Sequence, residues 1–436
     1  MKLRPFELAL VIFFGVLLLV AVFLLANFEP DRSSDSDLPQ VSGRVDVWGT
    51  LPAAGVNAWL TEIRESNESY SSVRYRYYPP ADFNAVLTNA LADGLGPDLI
   101  LTSHEKLVEM RRRIKPISYD SFPLRDIRTT YVDGAQIFAL SDGLYAYPIA
   151  VDPLMMYWNR DILTNEGFFG APVTWESFVN DLFPTLIERD FNRTIQRSVV
   201  AMGEYGNVRN AFGILSMLLL QGGSEGVIEN PANSYQVRLR SAVAGGSDPL
   251  QSAADFYTRF SKPSNALYSW NRSFSEDRTE FTSGEMVFYF GYASEARLLE
   301  RLNPNLNFDV AEIPQGASAT TRRTYGKFYG VSLLQSSDNP LSAINVMLAL
   351  AGSSNAGQLA TASGMVPAHR ALVAAGSNDI YGRITYGSAA IARGWLNPNM
   401  QATDTIFETM TKDINENRRS LSDATADATS RLADEY

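Results

Sequence analysis

Apolar residues alternate with polar ones over Gly43–Trp48 (GRVDVW) and then recur at helical spacing from about Ala54 to Glu65, where Val56, Leu60 and Ile63 share a face. The exchange of periods repeats. Val73–Tyr78 reads as a strand, Asp82–Asp93 as a helix stopped by Gly94, Leu99–Leu101 as a strand after Gly96-Pro97-Asp98, and His104–Arg113 as a helix. This alternation predicts a parallel sheet covered on both faces. Ligands of such sheets sit beyond the carboxyl ends of the strands, at the point where strand order reverses. Here those ends carry Trp48-Gly49-Thr50 and Thr102-Ser103-His104-Glu105.

The pattern then changes over Asp142–Phe178, which reads as one strand leaving a body and a second entering another. Leu144–Val151 alternates and is rich in Tyr, Ile and Val, while Pro148 and Pro153 predict that neither half sits deep in one unbroken ladder. Asp152 lies between them. A carboxylate flanked by apolar runs must either cap a local turn or face a cleft, because an unpaired buried charge is very costly. Further on, Thr174 caps a helix from Trp175, and Ala211–Gln221 is a Leu/Met-rich helix ended by two glycines. Glu285–Phe290, Phe308–Ile313 and Tyr325–Leu334 read as strands, Leu341–Ala351 as a helix, and Ser363–Pro367 as another passage between the bodies. From about Gln401 the chain is helical, with Ile406, Met410 and Ile414 at spacing four.

Near the start, Leu8–Ala26 is a 19-residue run without a charge. At ~1.5 Å per residue it spans ~28 Å, enough to cross the hydrocarbon region. Lys2 and Arg4 precede it, which leaves the amino terminus in the cytoplasm and everything after Asn27 outside. Leu24-Leu25-Ala26 is a poor cleavage site, so an uncleaved anchor is favoured over a signal peptide. The polar stretch DRSSDSDLPQ, residues 31–40, has the composition of a flexible tether.

Composition narrows the chemistry. With 436 residues the chain suggests at least two domains, and a net charge of −11 argues against nucleic acid as a partner. The one basic triplet, Arg111–Arg113, ends a predicted helix and reads as a solvated face. There is no cysteine, and His104 and His369 are the two imidazoles, so disulfides, thiolate chemistry and a His-rich metal centre are excluded. Gly222–Gly226 matches G-x-S-x-G, but a helix precedes it where a nucleophile elbow needs a strand. No P-loop, dinucleotide fingerprint or EF-hand loop is present, and no cofactor is expected.

Four stretches in order, VDVWGT, GPDLILTSHEKL, YPIAVDPLMMYWNRDIL with VTWESF, and FTSGEMVFYFGY, resemble the solute-binding proteins of ABC importers, in particular their carbohydrate-binding, maltodextrin-binding-protein-like group. The carboxy-terminal helices resemble that group too. The resemblance implies a two-lobed α/β fold of the type II periplasmic-binding-protein kind with a hinge, here preceded by a transmembrane helix. It implies residues 1–27 as stub and anchor, 28–42 as linker, 43–151 with 309–366 as the first lobe, and 152–308 with 367–436 as the second. By position, Trp48 and Thr50 match the first-strand loop, His104 and Glu105 the polar pair after the third strand, and Asp152 the acid at the first crossing. Gly291 and Tyr292 match the second-lobe loop that faces ligand, and Asp404 falls near a position that often carries an aromatic platform.

The residues agree with that class independently. A sugar needs carboxylates and amides for its hydroxyl edge and flat rings for its C–H face. Trp48, Tyr205, Trp270, Tyr292, Tyr329 and Trp395 stand near predicted strand ends and glycines. Bland readings compete: Thr102-x-x-Glu105 also fits a capping box, and Asp152 also fits turn stabilisation before Pro153. The expected protein is a monomeric, extracytoplasmic binding subunit anchored in the cell membrane by one span, taking a saccharide and working with permease subunits and a separate ATPase. The alternatives are an anchored glycan hydrolase using Glu105 and Asp152 as a carboxylate pair, and a binding module serving a sensor or adhesin.

Overall fold

The structure, a computed structural model, describes residues 40–230, 234–241 and 246–436. The expected membrane helix and most of the expected tether lie outside the described residues. Among the described residues no helix is long and apolar enough to cross a membrane. The fold begins inside the expected linker: Val41 is buried, and the Ser42 N–H donates to Ser342 Oγ at 3.0 Å.

Strands β1 (Val45–Gly49), β2 (Val73–Tyr77) and β3 (Leu99–Ser103) form the parallel set that the alternation of periods predicts, with β1 between the other two. Helix α1 (Ala53–Ser66) buries Val56, Trp59, Leu60 and Ile63, and α2 (Phe83–Ala92) buries Phe83 and Leu87. After β3 the expected helix is instead three short turns, His104–Lys106, Leu107–Met110 and Arg111–Arg113.

Further strands include β4 (Tyr147–Asn159), β5 (Ile195–Val200), the hairpin β6 (Val227–Asn230) and β7 (Ser234–Val237), β8 (Met286–Tyr292), β9 (Phe308–Ala311), β10 (Thr324–Leu333) and β11 (Val366–Pro367). Hydrogen bonding runs in the order β2-β1-β3-β10-β4-β8-β5, with β9 and β11 also on β4. Strand β4 joins the two halves of this sheet. Its residues up to Pro153 pair with β10 and β11, and from Leu154 its partners are β8 and β9.

This corrects the expectation that Pro148 and Pro153 break the segment: β4 is a single strand of 13 residues, all buried. A proline removes one ladder donor, and both fall where the ladder is interrupted anyway. Pro148 sits beside the register shift at Tyr329/Gly330, and Pro153 sits where the partners of β4 change.

Helix α3 (Ala211–Gln221) is buried on almost every side, as its near-continuous apolar sequence requires. Helix α4 (Pro249–Arg259) packs on α3, α5 (Ala296–Leu302) follows the turn after β8, α6 (Pro340–Ala351) and α7 (Ser353–Ala362) cover the sheet, and α8 (Met400–Asn415) packs with α9 (Leu421–Ala433) and α4. The spacing-four pattern of α8 holds: Ile406, Met410 and Ile414 are buried, and Asn399 caps the helix by accepting the Ala402 N–H at 3.0 Å. With that stripe turned inward, Gln401, Asp404 and Glu408 are left on another face.

Two further readings are corrected or absorbed. Arg111, expected to be solvated, is buried and paired with Glu229 of β6 at 2.5 Å and with Asp142 at 2.9 Å. Ser224 of the G-x-S-x-G match lies in a turn, where its hydroxyl donates to the Arg238 carbonyl oxygen and accepts the Gly226 N–H, both at 3.0 Å.

Candidate functional site

A cavity of about 700 Å³ opens between the loops that follow β1 and β3 and the first turns of α8. Thr50, Ser103, Glu105 and Asn84 of α2 line one wall, Lys327 and Tyr329 of β10 lie at its side, and Gln401, Asp404 and Glu408 line the facing wall. Four of the residues singled out from sequence, Thr50, Glu105, Tyr329 and Asp404, therefore meet here from four separate stretches of chain. The loops end where parallel strands release their last backbone groups, which is why polar side chains collect there. A second cavity, of about 500 Å³ beside Trp175 and Phe256, is bounded by residues 175–321 alone and does not touch β1, β3 or α8.

Glu105 is held rather than loose. Its oxygens accept the Tyr325 hydroxyl at 2.7 Å and the Ser103 hydroxyl at 3.2 Å, and no capping box with Thr102 forms. Burial by itself would raise its pKa, but Lys327, His104 and these two hydroxyls outweigh it and hold the carboxyl below its usual range. Asp404 is pushed up, first by burial and also by the facing Glu105, against the Tyr205 hydroxyl that donates to it at 2.5 Å. Across the opening, Asn399 Nδ2 donates to Glu109 Oε1 at 3.2 Å and ties the α8 wall to the β3 wall.

The other expected residues lie elsewhere. Trp48 is buried, with its ring 4.9 Å from that of Tyr78 and the Arg76 guanidinium 5.4 Å from its centroid, so its faces are occupied. His104 is fully buried. Its Nδ1 accepts the Phe328 N–H at 3.1 Å, its ring lies between Tyr325 and Phe328, and burial holds its pKa near 4, so it braces the neighbouring strand. Asp152 is 3% exposed and does not line the cavity. Its two oxygens accept the Ser294 N–H at 2.9 Å and the Ser294 hydroxyl at 2.7 Å, fastening β4 to the turn before α5.

Tyr205 meets the cavity through Asp404. Gly291 is packing: a Cβ there would lie 2.5 Å from the Tyr289 ring. Tyr292 lies under Lys327, whose Nζ is 4.3 Å from the ring centroid, and its carbonyl accepts the Tyr157 hydroxyl at 2.7 Å. Trp395 is core, donating from Nε1 to Ser216 Oγ at 3.0 Å with Phe212 beside it at 5.6 Å. The proposed hydrolytic pair is not assembled, since Asp152 is committed to Ser294 while Glu105 faces the cavity.

Sequence reasoning missed Lys327, Asn84 and Glu408. Lys327 carried a signal. Strand alternation puts Tyr325, Lys327 and Tyr329 on one face of β10, so the choice of Tyr329 implied its lysine neighbour.

Comparisons with known proteins fit this architecture. The profile of the bacterial extracellular solute-binding protein family matches residues 59–379. The fold is shared with a cyclo/maltodextrin-binding protein complexed with maltotetraose, at 15% identity and a TM-score of 0.71, covering 91% of this chain and 98% of that one. It is shared with a cyclic α-maltosyl-1,6-maltose-binding protein from Arthrobacter globiformis, at 13% identity and a TM-score of 0.70 over 90% of this chain and 98% of that one. An ABC transporter solute-binding protein from Thermotoga lettingae bound with α-D-tagatose gives 16% identity and a TM-score of 0.67 over 90% and 100%. No protein of curated function matches the chain. At these identities the solved structures establish the two-lobed α/β fold.

Proposed function

The chain belongs to the bacterial extracellular solute-binding protein family, and on that premise we propose that it is the substrate-binding subunit of an ABC import system, capturing a sugar or oligosaccharide in the cleft between β3 and α8. The observation that carries this reading is the cleft lining itself. Carboxylates, three amides and one ring converge there from distant segments, which is the mixture a saccharide's hydroxyl edge and C–H face require. Glu105, Asp404 and Thr50 would bond ligand hydroxyls, and Tyr329 would stack. The crossing strands β4 and β10 would serve as the hinge between lobes placed at 43–151 with 309–366 and at 152–308 with 367–436. A ligand bound to both walls shifts such a hinge by the difference in its affinity for the open and closed forms.

The test is a thermal-shift panel of saccharides, amino acids, peptides and polyols, because a ligand selective for the folded state raises the melting point. Saccharides that shift nothing while another class does would overturn the reading.

The anchor is proposed on sequence grounds. Leu8–Ala26 would hold the binding domain outside the membrane near its permease, whose ATPase is a separate chain. Recovery of the full chain in the membrane fraction after an alkaline wash supports the anchor, and release into the wash rejects it.

A further inference from the structure

The cleft is unusually acidic for a neutral ligand. Glu105 and Glu109 follow β3 four residues apart, and Asp404 and Glu408 face them four residues apart on α8. Against these four carboxylates the lining offers two ammonium groups, Lys106 and Lys327. No ion pair within 4.0 Å joins any of the four acids to a cation among the described residues, although this chain makes many such pairs elsewhere. Lys327 lies over the ring of Tyr292, and its charge acts on Glu105 and Asp404 without a direct ion pair to either. Two more features point the same way. The buried Asn84 Oδ1, in the same lining, has no hydrogen-bond donor among the described residues. The rings that would serve a neutral sugar are committed, Trp48 to Tyr78 and Tyr292 to Lys327, so Tyr329 is the aromatic side chain left in the lining.

Four carboxylates therefore stand against two ammonium groups in the lining, and like charges face each other across the gap. A neutral sugar can satisfy the acceptors but leaves the repulsion in place. A ligand bearing ammonium groups satisfies both, because a positive donor gives a carboxylate its strongest hydrogen bond. We infer that the cleft selects a saccharide carrying protonated amino groups over its neutral counterpart. This rests on the cleft being the ligand site.

The experiment uses the full chain in detergent at pH 6.5. Calorimetry and thermal shift compare di- and trisaccharides of glucosamine, the same oligomers N-acetylated, malto-oligosaccharides of equal length, and spermidine. The free-amine oligomers should bind at least about tenfold more tightly than the N-acetylated ones, a difference of about 1.4 kcal/mol. Added salt should weaken that preference. Asp404→Asn and Glu408→Gln should each narrow the preference by weakening the free-amine oligomers more than the malto-oligosaccharides. Equal or tighter binding of the N-acetylated or malto-oligosaccharides, sensitive to Tyr329→Ala, overturns the inference while the cleft stands as the sugar site. Spermidine binding where no saccharide does rejects the saccharide class. Binding indifferent to all three cleft variants, or no binding by any probe, removes both the inference and the reading beneath it.

Discussion

Replacing Asp152 with Asn should change how stability depends on pH. Asp152 is 3% exposed, and burial pushes its pKa up to about 6 despite two hydrogen bonds from Ser294. The folded protein thus holds this proton more tightly than an unfolded aspartate, whose pKa is about 3.9. Stability from the site is complete below about pH 4 and is lost as pH rises through about 6. The gap between the two values amounts to about 3 kcal/mol. Asparagine does not ionise, and it can accept the Ser294 N–H while its amide donates to the Ser294 hydroxyl. The variant should match the wild type near pH 4 and gain about 3 kcal/mol on it by pH 7.5. Urea unfolding of both proteins at half-unit steps measures this. Asp277, which burial pushes up to about 7, adds a slope of the same sign to both proteins and cancels in the difference. A difference that stays flat from pH 4 to 7.5 would refute the reasoning. So would collapse of ligand affinity in a folded Asp152→Asn protein, because no Asp152 oxygen lines the cavity.

Arg111→Ala should cost about 3 kcal/mol by taking the cation from the Glu229 carboxylate and leaving it to the Ser141 N–H and hydroxyl, and it should release the β6–β7 hairpin from its seat against the turns after β3; a melting curve and small-angle scattering read both effects, and an unchanged profile rejects the clasp. Gly394→Ala should destabilise by about 1–3 kcal/mol, since its Cβ would lie within contact distance of the buried His104 ring, and denaturant titration checks it. Lys327→Met removes the main positive charge lowering the Glu105 pKa. That depression stabilises the fold above the unfolded carboxyl value and is lost on acidification, so the variant should unfold at a higher pH than the wild type in an acid titration.

What the sequence made legible was what local periodicity controls. The three parallel strands, α1, α2, α3 and the inward stripe of α8 follow from spacing alone. Thr50 and Glu105 followed from the general rule about strand ends. The misreadings share one cause, a partner far along the chain. Asp152 looked like a ligand contact because Ser294 cannot be seen from its neighbours, and Arg111 looked solvated because Glu229 and Tyr235 arrive on a distant hairpin. Trp48 and Trp395 were chosen as ligand-contacting rings, yet their faces are filled by Tyr78 in one case and by Phe212 in the other. Prolines usually signal a break, but β4 tolerates two because its ladder changes partners at one and slips register at the other.

The same geometry bears on what sets closure. One wall presents Glu105 and Glu109, the other Asp404 and Glu408, and bringing the walls together would crowd four carboxylates that make no ion pair within 4.0 Å among the described residues. Holding them together are the Asn399–Glu109 hydrogen bond and, at a distance from the cavity, the Arg111 clasp on Glu229 and Tyr235. On the proposed hinge these terms would oppose each other, and closure without ligand would be a balance that a few kcal/mol can tip. Arg111→Ala should shift that balance open and weaken every ligand by one common factor. Loss of a cleft carboxylate should ease closure and weaken cationic ligands more than neutral ones. The two perturbations move the apparent affinity through different causes: the first scales neutral and cationic ligands alike, and the second changes the ratio between them.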